Sequence, residues 1–408
     1  MTRVAIIGAG TAGYEAAAEA SRNGAEVVLL ERSDFWEPSW HSWPDFILSP
    51  GRSERPPALP SDVELIHGAD VTSVGPGSFL TEDGRRVRFD SVVVGSGGEF
   101  MSVMFPGRRK RGVVILDNLE MYAELGRERS SMAHVVIRGE GVHALQVADG
   151  LGGTGRKVTL LAAPWIEGFA SKEVGNVVKD AGAGNGVSIL DSKLDGAVGC
   201  GHVEAVIAGG TVVACDTLAV LPVRGPRVPR TQAETGESGG LLVDKYLRSS
   251  SPALYAAGWT AEPRVGPPHP RTLGGAAAKS GRVAGANATG HRLVYHPQRS
   301  TEASFFGLRW ARFGTSLCEA RRQGFMVSEI SRRWSQGSAC SIVYERPSGK
   351  VVGVELVIDG ENDRLGVIAS LTPPTSLQAV AYGASGDSSD ISLVSDTARL
   401  GLQAWSGS

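Results

Sequence analysis

At 408 residues with 42% hydrophobic side chains, the chain has the length of two or three domains and enough apolar mass to hold their cores without disulfide or metal staples. A net charge of −2 gives no electrostatic reason to expect nucleic acid or an anionic membrane as partner. No apolar run approaches a membrane span and no basic leader precedes the first strand, so a cytoplasmic protein without membrane contact is expected. Cys200, Cys215, Cys318 and Cys340 are scattered without ligand-like spacing, which predicts free thiols and no metal site.

The most informative stretch comes first. Residues 4–31 read VAIIGAGTAGYEAAAEASRNGAEVVLLE: an apolar strand, Gly8, Gly10 and Gly13 at the G-x-G-x-x-G spacing, an alanine-rich helix, a second apolar strand and an acid. The first glycine makes the tight turn, the second lets backbone amides approach a pyrophosphate, and the third lets helix pack on strand. Thr11 and Ala12 complete the loop at the helix N-terminus, where free N–H groups and the macrodipole favour anions. Glu31 is placed to accept hydrogen bonds from an adenosine ribose.

A hairpin-like stretch follows over 70–88 and a strand over 89–98 (FDSVVVGSGG). At Ala133 a second strand–glycine–helix–strand unit begins, with Gly139, Gly141 and, at the third glycine position, Ala144. Residues 187–223 read as β-rich, LYAAGWT over 254–260 as a further strand and turn, and 272–290 as a small-residue helix. A linker is expected near 290–300. Beyond it, 303–324 reads as mixed, and SIVYE, the turn Pro347-Ser348-Gly349 and VVGVELVID read as a hairpin over 341–359. The last third is therefore expected as a separate α+β module.

Two glycine fingerprints, the FDSVVVGSGG segment, LYAAGW and a C-terminal α+β module together resemble the two-dinucleotide-domain flavoproteins of the pyridine nucleotide-disulfide oxidoreductase superfamily. The resemblance points in particular to the NADH oxidase and coenzyme A-disulfide reductase branch and spans nearly the whole chain. It implies an α/β fold of two Rossmann-like three-layer nucleotide-binding domains, the second inserted in the first, plus a C-terminal α+β dimerisation domain. The implied boundaries are 1–110 and 240–295 for an FAD domain, 111–239 for a degenerate NAD(P)-binding-like domain and 300–408 for dimerisation. It implies FAD as cofactor, held by Gly8, Gly10, Thr11, Ala12, Gly13, Glu31, Arg32, Val71, Gly95, Ser96, Gly97, Gly258 and Trp259. It also implies a homodimer in which Tyr382 reaches the partner's active site, while Arg224, in PVRGPRVP, matches a V-R-P segment expected at a domain interface.

The departures from that family carry the functional reading. The family's redox cysteine follows the first acid, and Pro44 and Ile47 in register put His41 in its place. No cysteine lies near, so disulfide, polysulfide and coenzyme A-disulfide reduction are rejected. His41 is either a general acid or base beside the flavin or a filler of the vacated volume. Trp36, Trp40 and Trp43 either wall a substrate pocket or pack it shut. In the second unit the expected ribose-binding acid is replaced by Ala162-Ala163-Pro164-Trp165, Gln146 replaces a helix glutamate, and Glu140 would repel a pyrophosphate. NAD(P)H is therefore doubtful as a second cofactor. The family's A-x-G-D becomes Ala256-Ala257-Gly258-Trp259, removing a ribityl-binding carboxylate. His269, in GPPHPRT, either faces the pocket or is structural. No G-x-S-x-G elbow supports Ser-His-Asp chemistry.

The expected function is that of an FAD-dependent oxidase or dehydrogenase acting, without a redox-active cysteine, on a small organic substrate of specialised metabolism. Two alternatives stand beside it: a flavin-poor relative catalysing a non-redox step or only binding, and an NAD(P)H oxidase.

Overall fold

The computed structural model describes residues 1–34, 36, 40–153, 155–162, 171–264, 274–296, 300–360, 375–383 and 389–406. By contacts the chain forms two compact units. One comprises Met1–Trp43, Arg52–Ser102 and Val223–Gln298, the other Pro44–Gly51, Val103–Pro222 and Arg299–Ser408.

The first unit is built on a five-stranded sheet in the order Leu254–Ala256, Ser91–Val94, Arg3–Ile7, Glu26–Leu30, Val63–Ile66. Each pairing is parallel, and the near-continuous apolar runs are what strands covered on both faces require. The chain thus returns to this sheet at Leu254 after leaving it at Val94. Val4, Ile6, Leu29, Val93 and Ala256 are sealed from solvent in its core. The stretch over 70–88 is a three-stranded meander, Val71–Gly75, Ser78–Thr81 and Arg86–Arg88, rather than one hairpin, because Gly77 at φ +64° adds a second tight turn.

Helix Thr11–Arg22 and helix Gly274–Ala288 cross with their backbones in contact. A Cβ on Gly281 would lie 2.2 Å from the Ala12 carbonyl oxygen, and one on Gly285 would lie 2.3 Å from that of Ala16. The four-residue spacing puts Gly281 and Gly285 on one helix face opposite the buried Ala12, Ala16 and Ala20.

The second unit contains another parallel sheet, in the order Val187–Leu190, Lys157–Leu161, His134–Arg138, Thr217–Val220, Val113–Ile115. Of the β-rich stretch over 187–223, the first and last strands join this sheet, and Leu194–Val198, Ala205–Ala208 and Thr211–Ala214 form a separate antiparallel one. The C-terminal module is a six-stranded antiparallel sheet. The expected hairpin is its centre: Ala339–Glu345 pairs with Lys350–Asp359. Helices Leu377–Gly383 and Ser389–Ser406 supply Leu377, Val380, Val394 and Ala398 to its core. The α/β expectation holds in both units.

Gly281→Val should destabilise the protein by about 3 kcal/mol, the upper range for overpacking a contact that cannot relax. Gly184→Ala, at a helical position where a Cβ meets nothing within 4 Å, should be neutral or slightly stabilising. Equal melting temperatures for the two variants would refute the close helix crossing.

Candidate functional site

Parallel pairing brings the carboxyl ends of four strands of the first unit to one edge, the usual ligand edge of such sheets. Gly8 N–H donates to the Leu30 carbonyl at 2.7 Å, Gly95 N–H to Ile7 at 2.9 Å, Ala257 N–H to Val94 at 2.9 Å, and Glu31 N–H to Ile66 at 2.8 Å. Gly8 sits at φ +97°, and a Cβ there would meet Ser96 Cα at 2.6 Å. Gly13 backs directly onto the turn, its missing Cβ position 1.8 Å from the Gly8 carbonyl oxygen. Gly10 is the opposite case: a Cβ there would meet nothing within 4 Å, so this glycine borders open space. It caps helix Thr11–Arg22 without any side-chain cap bond and with no acid in the first turn. The first N–H groups and the positive helix end are thus left for an anion.

Glu31 holds this loop in shape. Its Oε2 accepts from Ala9 N–H at 2.8 Å and its Oε1 from Ser33 N–H at 3.0 Å, and each carboxylate oxygen has a further lone pair for an outside hydroxyl. Tyr14, buried in the same helix, has its phenol pushed above its ordinary range by burial and by the Glu31 charge.

On the far side, Ser96 donates to the Arg227 carbonyl. Arg227 in turn donates to both Asp70 carboxylate oxygens, at 2.8 and 2.7 Å. Gly258, at φ +64°, donates its N–H to Ser280 Oγ at 2.9 Å, and Thr260 Oγ1 donates to the Val94 carbonyl at 2.6 Å. Trp259 is held between these anchors. It lies so close to Gly98 that a Cβ on that glycine would be 2.2 Å from its ring.

Trp259 belongs to a cluster around Arg224. The guanidinium carbon lies 4.6 Å from the Phe100 ring centroid and 5.2 Å from those of Trp40 and Trp259, and Nη2 donates to the Gly98 carbonyl at 2.7 Å. The Trp40 and Trp259 rings are 6.0 Å apart. Sequence reasoning pointed to Trp40 and Trp259 but placed Arg224 at a domain interface and missed Phe100. The signal lay in the two short strands: Gly98–Phe100 pairs with Arg224–Pro226, which stacks the two side chains.

The remaining expected residues are less concentrated. Trp43 is buried with its ring tilted against Phe100, centroids 6.0 Å apart, and Trp36 packs against the core. Val71 points its side chain into the core, while Arg32 is exposed. His41 lies in the short helix Trp40–Ser42. Tyr382 is 71% exposed, with Arg399 over its ring. His269 falls outside the described residues.

In the second unit Gly141 is at φ +69° and borders open space, whereas a Cβ on Gly139 would crowd Ala144. Glu140, the N-cap of helix Gly141–Leu151, approaches Arg138 at 3.4 Å. His143 is buried and hydrogen-bonded to the Tyr122 hydroxyl at 2.8 Å. Ala162 is buried. All four cysteines fall in this unit. Burial pushes the Cys215 thiol up to about 11 and the Cys340 thiol up to about 12, so neither is a thiolate near neutral pH. Among the described residues no cluster of His, Cys, Asp and Glu could hold a metal ion.

The bare Gly10, the uncapped helix start and the Glu31 carboxylate fit the adenosine diphosphate part of a dinucleotide. The Arg224 cluster adds flat aromatic surface and a fixed positive charge.

A family model described as pyridine nucleotide-disulphide oxidoreductase matches residues 2–278. Rubredoxin-NAD(+) reductase of Pseudomonas putida is 27% identical over 274 residues, 62% of this chain and 71% of that protein. In three dimensions the chain resembles the water-forming NADH oxidase from Lactobacillus brevis, with a TM-score of 0.85 and 16% identity over 100% of this chain and 99% of that one. It also resembles the NAD-dependent persulfide reductase from A. fulgidus, with a TM-score of 0.84 and 19% identity over 99% and 84%. At these identities the structural matches speak for the fold alone. None of these relatives supports setting NAD(P)H aside.

Gly10→Val places a side chain into the open space without touching protein. Its melting temperature without ligand should match the parent, while FAD affinity falls at least about tenfold, because the second glycine is where backbone meets pyrophosphate. Full flavin retention by the variant would mean that the cradle is elsewhere.

Proposed function

Because the chain belongs to the pyridine nucleotide-disulphide oxidoreductase family, we propose that it is an FAD-dependent oxidoreductase that acts on a small organic substrate without a redox-active cysteine. The observation that carries this reading is the open cradle at Gly10, with Glu31 clamped to its loop. The first unit also contains no cysteine.

In this reading Gly8, Gly10, Thr11, Ala12 and Gly13 hold the pyrophosphate, Glu31 the ribose, and Gly95–Gly97 and Gly258 the remaining backbone contacts. Residues 1–110 and 240–295 carry the flavin, 111–239 the second nucleotide fold and 300–408 the homodimer contact, where the exposed Tyr382 serves the partner's site. When bound, FAD supplies two-electron acceptance from the substrate and delivery to dioxygen or another acceptor. Trp40, Trp43 and His269 line the substrate side, and His41 takes and returns the substrate proton. An imidazole titrates near neutrality and is matched to that task.

A second reading, in which the cleft binds or transforms a substrate without redox chemistry, is favoured by one observation: Trp259 lies against Gly98 and clusters with Trp40 around Arg224. A third, NAD(P)H oxidation, draws on the open Gly141 and on the NAD-linked names of the relatives. The visible spectrum separates all three. A flavin band that NADH leaves unchanged and the substrate bleaches supports the first. No flavin band, even after FAD is added, supports the second. Bleaching by NADH supports the third.

If His41 moves the proton, His41→Asn should lower turnover at least about 10²-fold with unchanged flavin content, within the usual worth of a placed acid or base. The limb of the pH–rate profile near the histidine pKa should disappear with it. Parental turnover in the variant would make His41 a filler.

A further inference from the structure

The second unit holds a cavity of about 450 Å³, far from small for a metabolite site. It is bounded by strands of the C-terminal sheet, the short helix Leu317–Arg322 and the start of helix Lys172–Gly184. None of its residues belongs to the dinucleotide edge of the first unit.

Its floor is built and internally satisfied. The buried Glu355 carboxylate accepts from Trp310 Nε1 at 2.8 Å, from Arg312 Nη2 at 2.9 Å and from the Ser171 N–H at 2.8 Å. Arg312 and Glu355 thus cancel in charge, and removing either would strand the other in a buried position. Glu329 accepts from Ser341 Oγ at 2.9 Å. Burial, and to a lesser degree the Glu355 charge, raise its carboxyl above the ordinary range, against the Ser341 hydrogen bond and the Arg312 and Arg321 charges, which lower it.

Three more cations line the same cavity: Lys172, Arg321 and Arg322. None of them has an ion-pair partner among the described residues. All three are exposed, and Arg321 also acts on Glu329; with Arg312 matched to Glu355, the cavity carries more positive than negative charge. Guanidinium groups select planar or tetrahedral oxyanions, which they meet with paired N–H groups.

We propose that this cavity binds a small organic polyanion bearing at least two oxyanion groups, a polycarboxylate or a phosphate ester. Arg321, Arg322 and Lys172 meet the charges, and the hydroxyl and carboxyl groups of the floor meet the ligand's neutral polar atoms. Such a site lies outside the redox reading and provides a place for a metabolite to be sensed.

Cys318 lines the cavity and is partly exposed, whereas Cys200 is exposed outside it, so the two thiols are a built-in probe and control. The test uses the full chain saturated with FAD, so that the Gly10 cradle does not compete. Calorimetry is run with citrate, with fructose 1,6-bisphosphate and with neutral fructose, alongside alkylation mapped at Cys318 and Cys200.

Citrate or the bisphosphate should bind with Kd below about 1 mM at low salt, fructose should not, and the anion that binds identifies its class. The bound anion should slow alkylation of Cys318 and leave Cys200 unchanged. The double variant Arg321→Gln/Arg322→Gln should weaken binding at least tenfold, and Lys172→Gln, on a different element, should weaken it separately. No heat from either anion, unchanged affinity in a folded double variant, or undiminished alkylation of Cys318 would overturn the proposal. So would conversion of a dimer to a monomer in a double variant whose parent binds neither anion, since the arginines would then belong to an interface.

Discussion

The dinucleotide edge of the first unit depends on backbone meeting backbone with no side chain between. Gly13 presses on the Gly8 carbonyl, Gly8 on Gly95 and Ser96, and Gly281 and Gly285 on the carbonyls of Ala12 and Ala16. Each approach is closer than any Cβ allows, so strand, turn and both helices interlock at fixed spacing. Because the helix N-terminus is locked by packing, its free N–H groups stay aimed at one place. Preorganisation of this kind is what turns a weak anion preference into a binding site.

A single carboxylate extends that constraint to recognition. Glu31 holds the loop through the Ala9 N–H and the following turn through the Ser33 N–H. In the proposed reading the same carboxylate also meets the ribose, which couples loop shape to ligand contact. Tyr14, buried beside it, has its phenol raised by burial and by the Glu31 charge.

The other half of the cleft follows a different principle. Trp40, Phe100 and Trp259 share one guanidinium, each at cation–π distance. A half-buried arginine bonded to a carbonyl and ringed by aromatics is held in place, and it offers positive potential toward whatever lies against the rings. That combination suits an electron-rich ring system and equally a closed stack, which is why spectra rather than geometry distinguish the functional readings. The C-terminal module applies opposite chemistry: its polar cavity is organised by an ion pair between the partly buried Arg312 and the buried Glu355.

The strand–glycine–helix–strand–acid order made the first nucleotide fold legible, since each residue type answers a local steric or electrostatic demand. The hairpin over 341–359 was readable for the same reason: its turn chemistry and apolar run are local. The helix crossing left a faint trace in the spacing of Gly281 and Gly285, but a small-residue face does not name its partner. The Arg224–Phe100 stack was not legible, because it arises from pairing two three-residue strands more than a hundred positions apart. Nor was the cavity, whose cations come from Lys172 and from Arg321 and Arg322. By itself the sequence determined the local elements, the glycine cradle and its acid, because those follow from neighbours along the chain. Only the tertiary structure decided which aromatics surround Arg224, that Trp43 and Val71 are buried, and which charges share a cavity, because burial and long-range juxtaposition are properties of the packed chain.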